Sequence, residues 1–301
     1  MNSLPKYFDP ETLARISPLG LRALTLVEGL VAGKHRSPLR GQSLEFSQHR
    51  EYVPGDDLRQ VDWKVFARSD KHYVRQYEDE TNLTAMLLLD VSESMDYRSN
   101  ANGLSKLEYA QLIACSLGYL VTSQQDSIGL ATFSASIENW LRPGSSPAQL
   151  DDMIRLMEQP RSRVLKSDLP NVLQKCQDRL NKPNLIIVLS DLLDDVDKTL
   201  RSFELLNLAG HDLLVLHLLD PWELTFPFDQ TAEFDGLEEI PGILIDPLTI
   251  GGAYRRAMQE FCQQIELGCR KRDADYYRMT TEQSLAVSLP NVLSQRSLRR
   301  R

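Results

Sequence analysis

Short, almost entirely apolar runs alternate with amphipathic helical patterns between residues 83 and 295. The runs at 185–189 (LIIVL) and 213–219 (LLVLHLL) are typical of strands buried on both faces of a sheet. Strands that alternate with helices pair in parallel, because each helix carries the chain back across the sheet. We therefore predict an α/β fold: a doubly wound, mostly parallel sheet with helices on both faces, as in Rossmann-like domains.

The predicted elements follow one another without a flexible linker. Strands are predicted at 83–90, 128–133, 185–189, 213–219 and 274–279. Helices are predicted after a capping box at 105–108, at 147–158, at 168–180 with Ser167 as N-cap, at 196–209 before Gly210, at 254–272, and after a cap at 280–283. This continuity makes residues 83–295 one predicted domain.

The two ends of the chain do not follow the alternation. Residues 1–82 are predicted to form an N-terminal arm that includes a helix at 18–32. Residues 296–301 contain four arginines, and we interpret them as a solvated helix end or a frayed basic tail.

Composition narrows the class of function. A formal net charge of −8 argues against a general nucleic-acid-binding surface. The sequence contains no apolar run of about 18 residues, so no membrane span is expected. The first residues lack the layout of a secretory signal, and the four cysteines are too dispersed for a metal finger. We expect buried thiols in a reducing compartment, which predicts a cytoplasmic protein.

Oxygen-bearing side chains follow two of the predicted strands. Asp90, Ser92 and Ser94 come directly after the strand at 83–90, and Asp191 follows the strand at 185–189. Ser167 begins the helix before that second strand. Because the carboxyl ends of parallel strands meet at one edge of a sheet, these five side chains are expected to converge there. Carboxylates and hydroxyls are hard donors that suit Mg²⁺ or Mn²⁺.

The spacing Asp-x-Ser-x-Ser resembles the metal-ion-dependent adhesion site of von Willebrand factor A domains. This resemblance implies that Ser92, Ser94 and a distant threonine ligate the metal, while Asp90 and Asp191 act largely through water. Because hydroxyl ligands are neutral and leave much of the cation's charge uncompensated, we expect an Asp or Glu of a partner protein as a further ligand. Ser167 stands where that family usually has threonine. Two interpretations of Ser167 remain open here: a metal-ligating hydroxyl, or the N-cap of its helix.

The arm sequence is similar to a bacterial family catalogued as domain of unknown function 58. The shared motif contains Arg50, Tyr52, Asp56, Asp57, Arg59, Asp62, Trp63 and Arg68. The resemblance implies an adaptor that works with a MoxR-type AAA+ ATPase in protein maturation or remodelling. From the residues themselves, the charged members of the motif either pin the arm to the sheet domain or form a partner-docking surface.

The sequence thus predicts a non-catalytic, divalent-metal-dependent protein-binding domain. A metal-dependent hydrolase is the first alternative, but a phosphatase that used Asp90 as nucleophile would need a second acid where Ser92 stands. A metal-free scaffold is the second alternative. His217 is interpreted as a core residue, and Cys262 and Cys269 as core thiols.

Overall fold

The computed structural model describes residues 44–51, 65, 73–79, 83–146, 148–160, 166–228, 232–234, 243–245 and 247–299. These residues belong to two compact units, with a division between residues 82 and 83. The first unit contains strands β1 (Leu44–Glu51) and β2 (Tyr73–Asp79), which pair antiparallel with an irregularity between Phe46 and Gln48.

The predicted arm motif is described only in part. Arg50 lies in β1, opposite Val74 of β2. The other motif members and the predicted helix at 18–32 lie outside the described residues: Tyr52, Asp56, Asp57, Arg59, Asp62, Trp63 and Arg68. The two interpretations of the arm therefore stay predictions.

The second unit follows the predicted alternation of strands and helices. In chain order its elements are β3 (Thr84–Asp90), a 3-10 helix (Glu93–Asp96), α1 (Lys106–Ser123), β4 (Ser127–Phe133), β5 (Ile137–Gly144), α2 (Gln149–Met157), α3 (Leu169–Arg179), β6 (Leu185–Ser190), α4 (Val196–Leu208), β7 (Asp212–Leu219), α5 (Pro221–Thr225), β8 (Ala232–Phe234), β9 (Ile243–Ile245), α6 (Pro247–Lys271), β10 (Asp275–Thr280) and α7 (Leu285–Arg299).

Six of these strands form one sheet in the order β10-β7-β6-β3-β4-β5. All neighbours pair in parallel except β4 and β5, which are antiparallel. Counted from β3, this is the doubly wound order 3-2-1-4-5-6, whose direction reverses between β3 and β6. The predicted α/β fold class is confirmed, and the reversal marks where a ligand site is expected.

Helices cover both faces of this sheet. On one face, Met86 and Leu88 of β3 pack in a cluster with Val172 of α3, Phe203 of α4 and Ile265 of α6. The alternate residues of β3 are fully buried on the other face, where α1 contacts the strand. Burial on both faces explains why the strands are continuously apolar.

Four sequence predictions need correction. Strand β5 was not predicted, because it is a half-buried edge strand with mixed polarity. Helix α6 begins at residue 247, not 254. The N-cap of α3 is Asp168, whose carboxylate accepts from the backbone N–H of Asn171, so the interpretation of Ser167 as N-cap is wrong. The interpretation of 296–301 as a solvated tail is wrong at Arg296, which is buried within α7.

Other local predictions are confirmed. Ser105 and Glu108 form the complete capping box that starts α1. Gly210 follows α4 with φ 88°, in the left-handed region where glycine ends helices without strain. In the part of the chain that the structure describes, no helix is both long and apolar enough to cross a membrane.

Candidate functional site

The turn after β3 brings an aspartate and two serines to the carboxyl edge of the sheet. Asp90, the last residue of β3, is fully buried. Its Oδ1 atom accepts a 3.0 Å hydrogen bond from the backbone N–H of Ser92, a local turn that aspartate favours. The hydroxyls of Ser92 and Ser94 lie 3.2 Å apart. The Asp-x-Ser-x-Ser sequence therefore gathers its three polar side chains.

Two hydroxyls from other segments approach the second oxygen of Asp90. Ser190, the last residue of β6, donates to Asp90 Oδ2 at 2.6 Å. The Ser167 hydroxyl lies 3.5 Å from the same atom, at the outer limit of a hydrogen bond. The hydroxyl of Ser190 was not included in the site predicted from the sequence. Its position directly before Asp191 was the signal that could have included it.

Asp191 follows β6 directly and faces the same reversal point. Its carboxylate accepts hydrogen bonds from the Ser94 hydroxyl and, at 3.3 Å, from the backbone N–H of Leu193. Leu192, between Asp191 and Leu193 in the chain, has a φ of 57°, a left-handed conformation that leucine rarely adopts. Strained backbone of this kind is typically held in place at functional sites.

A lysine that sequence reasoning did not place in the site binds Asp191. Lys106, the first residue of α1, is fully buried. Its ammonium donates to Asp191 Oδ2 at 2.8 Å and to Glu223 Oε1 of α5 at 2.6 Å. A cation in the first turn of a helix is unfavourable with respect to the helix dipole. That misplaced charge was the available signal that Lys106 has buried carboxylate partners.

Burial and neighbouring charges shift the pKa values of this cluster. Burial raises the pKa of Asp90 to about 7, and the charge of Asp191 adds to the effect. Burial acts in the same direction on Asp191, but the Lys106 ammonium outweighs it and lowers the Asp191 pKa. Burial opposes the charge of Lys106, yet its two carboxylate partners raise its pKa. Lys106 and Asp191 are therefore a charged pair. The Asp90 carboxyl group, by contrast, is partly protonated near neutral pH.

The cluster fits a divalent cation in charge and in donor chemistry. With Asp90, Asp191 and Glu223 all ionised, their three carboxylates and the Lys106 ammonium would carry a formal charge of −2, which a divalent cation would balance. The raised pKa of Asp90 comes first from burial and second from the neighbouring negative charge of Asp191. The hydroxyls add neutral oxygen donors of the kind that Mg²⁺ accepts. Among the described residues no group of three or more His, Cys, Asp or Glu side chains could hold a metal, so a metal ion here would need the serine hydroxyls as ligands.

The structure gathers all five predicted site residues. Each is buried at the carboxyl edge between β3 and β6: Asp90, Ser92, Ser94, Ser167 and Asp191. Beside them a cleft of about 720 Å³ opens, lined in part by Lys166, Ser167 and Lys198. Of the five site residues, Ser167 lines this cleft.

The other polar and sulfur-bearing candidates lie in the core, as predicted. His217 is fully buried, and its Nδ1 atom lies 2.8 Å from the Tyr276 hydroxyl. Burial lowers the pKa of His217 to about 4, which keeps the ring neutral. Cys262 and Cys269 are buried free thiols, and burial raises the pKa of both.

Comparison with known proteins identifies the family. The family described as "Protein of unknown function DUF58" matches residues 48–260, which is more than half of the chain. The chain belongs to the DUF58 family. Uncharacterized proteins from Mycobacterium tuberculosis and Mycobacterium bovis are 24% identical to this DUF58 protein over 223 residues, which cover 73% of it and 68% of each relative.

Solved structures resemble this DUF58 protein over a similar share of its length. BatB from Bacteroides thetaiotaomicron is 17% identical with a TM-score of 0.49, over 72% of this chain and 99% of BatB. An aerotolerance-related membrane protein from Bacteroides fragilis is 17% identical with a TM-score of 0.46, over the same shares. The VWA domain of SpRpn10 is 12% identical with a TM-score of 0.41, over 71% of this chain and 94% of that domain.

Proposed function

We propose that this DUF58 protein is a non-catalytic protein-binding domain that holds Mg²⁺ or Mn²⁺ at the carboxyl edge of its sheet. The observation that carries the proposal is the buried group of two aspartates and three serines between β3 and β6. Its position at the strand-order reversal is where doubly wound sheets bind ligands.

Two kinds of side chain would hold the ion. Ser92, Ser94 and Ser167 would offer neutral hydroxyl oxygens, and Asp90 and Asp191 would supply the negative charge. When bound, the cation supplies a Lewis-acidic position for an oxygen ligand from outside the chain. Since hydroxyl ligands do not neutralise the ion, a carboxylate from a second protein is the favoured external ligand.

The cleft beside Ser167 is lined by two lysines and three aspartates, so its charge does not by itself favour an acidic partner. The proposed partners are a MoxR-type AAA+ ATPase, a client protein, or both, in maturation or remodelling of proteins in the cytoplasm. No observation on the described residues favours a hydrolase, because Ser92 stands where a second acid would be needed.

A metal-free scaffold is the second candidate, and one contact favours it. The Lys106 ammonium already binds Asp191 at 2.8 Å, so a cation of the chain itself neutralises one of the two aspartates. In that case the carboxyl edge would be a structural ion-pair cluster, and protein binding would not depend on an added metal.

Calorimetric titration with Mg²⁺ and Mn²⁺ separates the two candidates. Wild-type protein is expected to bind one ion, and Asp90→Asn to lose that binding. Asp126→Asn is the matched control, since Asp126 is a buried aspartate that accepts from the Leu83 backbone N–H at the opposite edge of the sheet. Equal titrations for wild type and Asp90→Asn would contradict the metal site.

Partner binding is tested with the full chain and a purified MoxR-type ATPase, with and without a chelator. Co-purification that the chelator abolishes, and that Asp90→Asn abolishes equally, supports metal-dependent binding. Co-purification that neither treatment changes supports the metal-free scaffold. The absence of co-purification under all conditions would contradict the ATPase partnership.

A further inference from the structure

Lys106 is held between two carboxylates that belong to different parts of the protein. Asp191 lies in the proposed metal site, whereas Glu223 lies on the five-residue helix α5. We propose that Lys106 is a resident cation that competes with the divalent ion for Asp191, and that its transfer toward Glu223 conveys metal binding to residues 220–228. This inference rests on the proposed function and concerns how the same site is regulated.

Competition follows from the position of the ammonium. Lys106 Nζ lies 2.8 Å from Asp191 Oδ2, and both side chains are excluded from water. Two cations that share one carboxylate repel each other, and in a buried site water screens that repulsion only weakly. A divalent ion drawn to Asp191 therefore weakens its pairing with Lys106.

Glu223 provides an alternative partner without a large movement. Its Oε1 atom already accepts from Lys106 at 2.6 Å, so the ammonium stays buried and paired when Asp191 turns to the metal. The other oxygen of Glu223 accepts at 2.7 Å from the backbone N–H of Asp220, where it completes the capping box of α5. One carboxylate thus connects the lysine to the start of α5.

Residues 220–228 form a short segment around Glu223 that aromatic packing holds in place. Helix α5 has only five residues and ends at Phe226, whose φ of 46° is left-handed and unfavourable for an aromatic residue. Phe226 packs against Tyr254 and Phe228, and Phe228 packs edge-to-face on Trp222. Trp222 is 40% exposed, so a shift of α5 changes an aromatic surface that solvent reaches.

The test combines metal titration with the fluorescence of Trp222, on the full chain. Mn²⁺ and Mg²⁺ are titrated into wild type, Lys106→Met, Glu223→Gln and the control Lys198→Met. Lys198 is the matched control because its ammonium is exposed and pairs with Asp195 near the same cleft. Trp222→Phe identifies which part of the fluorescence signal comes from Trp222.

The two variants are expected to change affinity in opposite directions. Lys106→Met removes the competitor and strengthens Mn²⁺ binding by about tenfold or more, and the metal-induced change in Trp222 fluorescence is lost. Glu223→Gln leaves Lys106 on Asp191 alone and weakens binding by about tenfold. Lys198→Met binds like wild type. Glu223→Gln retains the ammonium, so it tests the inference even where Lys106→Met fails to fold.

The outcomes separate this inference from the proposed function. If wild type binds metal through Asp90 but neither variant alters affinity, the site stands and the competition is overturned. If wild type binds no metal while Lys106→Met does, the competition stands and the metal-dependent function of the wild type is overturned. If no form binds metal, both are overturned.

Discussion

Two buried cations occupy opposite edges of the same sheet, and each lies between two carboxylates. At the amino edge, Arg296 of α7 forms ion pairs with Asp212 at 2.6 Å and with Asp275 at 2.9 Å, the first residues of β7 and β10. At the carboxyl edge, Lys106 of α1 binds Asp191 and Glu223. The residue types are similar, but the surroundings differ.

The difference lies in the charge that remains and in the type of cation. The partners of Arg296 keep 16% and 9% of their side-chain surface exposed, and Glu223 and Asp191 keep 14% and 1%. The carboxyl edge also holds a third, fully buried carboxyl group, that of Asp90. An arginine fork fixes two acceptors rigidly, whereas a lysine ammonium can move between them. The amino edge is therefore assigned to stability, whereas the carboxyl edge is the proposed binding site for a metal ion.

The largest expected effect is the loss of the amino-edge cation. Arg296→Met leaves Asp212 and Asp275 without their shared guanidinium and is expected to lower the free energy of unfolding by about 3–5 kcal/mol. Urea denaturation measures this loss. Arg155→Met, which removes an exposed pair with Asp152, is the control and should cost less than about 1 kcal/mol. A loss that Mg²⁺ restores would contradict the assignment of this edge to stability.

The carboxyl-edge cation is expected to be replaceable by metal. In chelator, Lys106→Met lowers the free energy of unfolding by about 3 kcal/mol, because Asp191 and Glu223 lose their counter-ion. Mg²⁺ at 100 times its dissociation constant should restore about 2.7 kcal/mol. Urea denaturation with and without Mg²⁺ measures both values. If Lys106→Met lost the same free energy of unfolding with and without Mg²⁺, the metal would not replace the ammonium, and the contrast with Arg296 would not hold.

The pH dependence of the metal-free protein is expected to reflect Asp90. Its pKa is about 7 in the folded protein and 3.8 in a model compound, so between these values the folded state binds more protons than the unfolded state. Stability therefore falls as pH rises from about 4 to about 7, by a total on the order of 3 kcal/mol. Denaturation of wild type and Asp90→Asn across this range measures the difference in slope. Parallel slopes would show that Asp90 is already compensated.

The smallest expected effect distinguishes a metal ligand from a helix cap. Ser167→Ala should weaken Mg²⁺ binding about tenfold, or about 1.4 kcal/mol, and change stability by less than about 0.5 kcal/mol. Asp168→Ala should do the reverse: a stability loss of about 1 kcal/mol with unchanged affinity, since Asp168 caps α3. Calorimetry and urea denaturation of both variants provide the comparison. A larger stability loss for Ser167→Ala would return Ser167 to a structural role.

Sequence reasoning predicted the sheet because burial on both faces leaves a strong local signal. The runs that became β3, β6 and β7 are continuously apolar, and the polar residues after them mark strand ends. Strand β5 escaped prediction because its residues, including Trp140, are half-buried and its polarity does not alternate cleanly.

The site residues that directly follow a strand could be predicted from the sequence. The residues that reach the site through partners distant in sequence could not. Asp90, Ser92 and Ser94 were found because they are close in sequence and follow a strand. Lys106 was missed because the sequence Ser-Lys-Leu-Glu predicts a capping box, and lysine in a first turn is ordinarily solvated. Its partner Glu223 lies 117 residues away, a separation that no local pattern spans.

The hydrogen bond between Asp90 and Ser190 forms between segments that are far apart in the chain, which affects when it can form during folding. It joins residues 100 positions apart, and the pairing of β3 with β6 closes the intervening segment. By contrast, β4 and β5 form a local hairpin that can fold early. Because non-local contacts form more slowly than local ones, we expect the pairing of β3 with β6 to follow the hairpin. During synthesis, therefore, Asp90 gains its Ser190 partner only after the chain through residue 190 has been made, so this edge is assembled only when the centre of the sheet is complete.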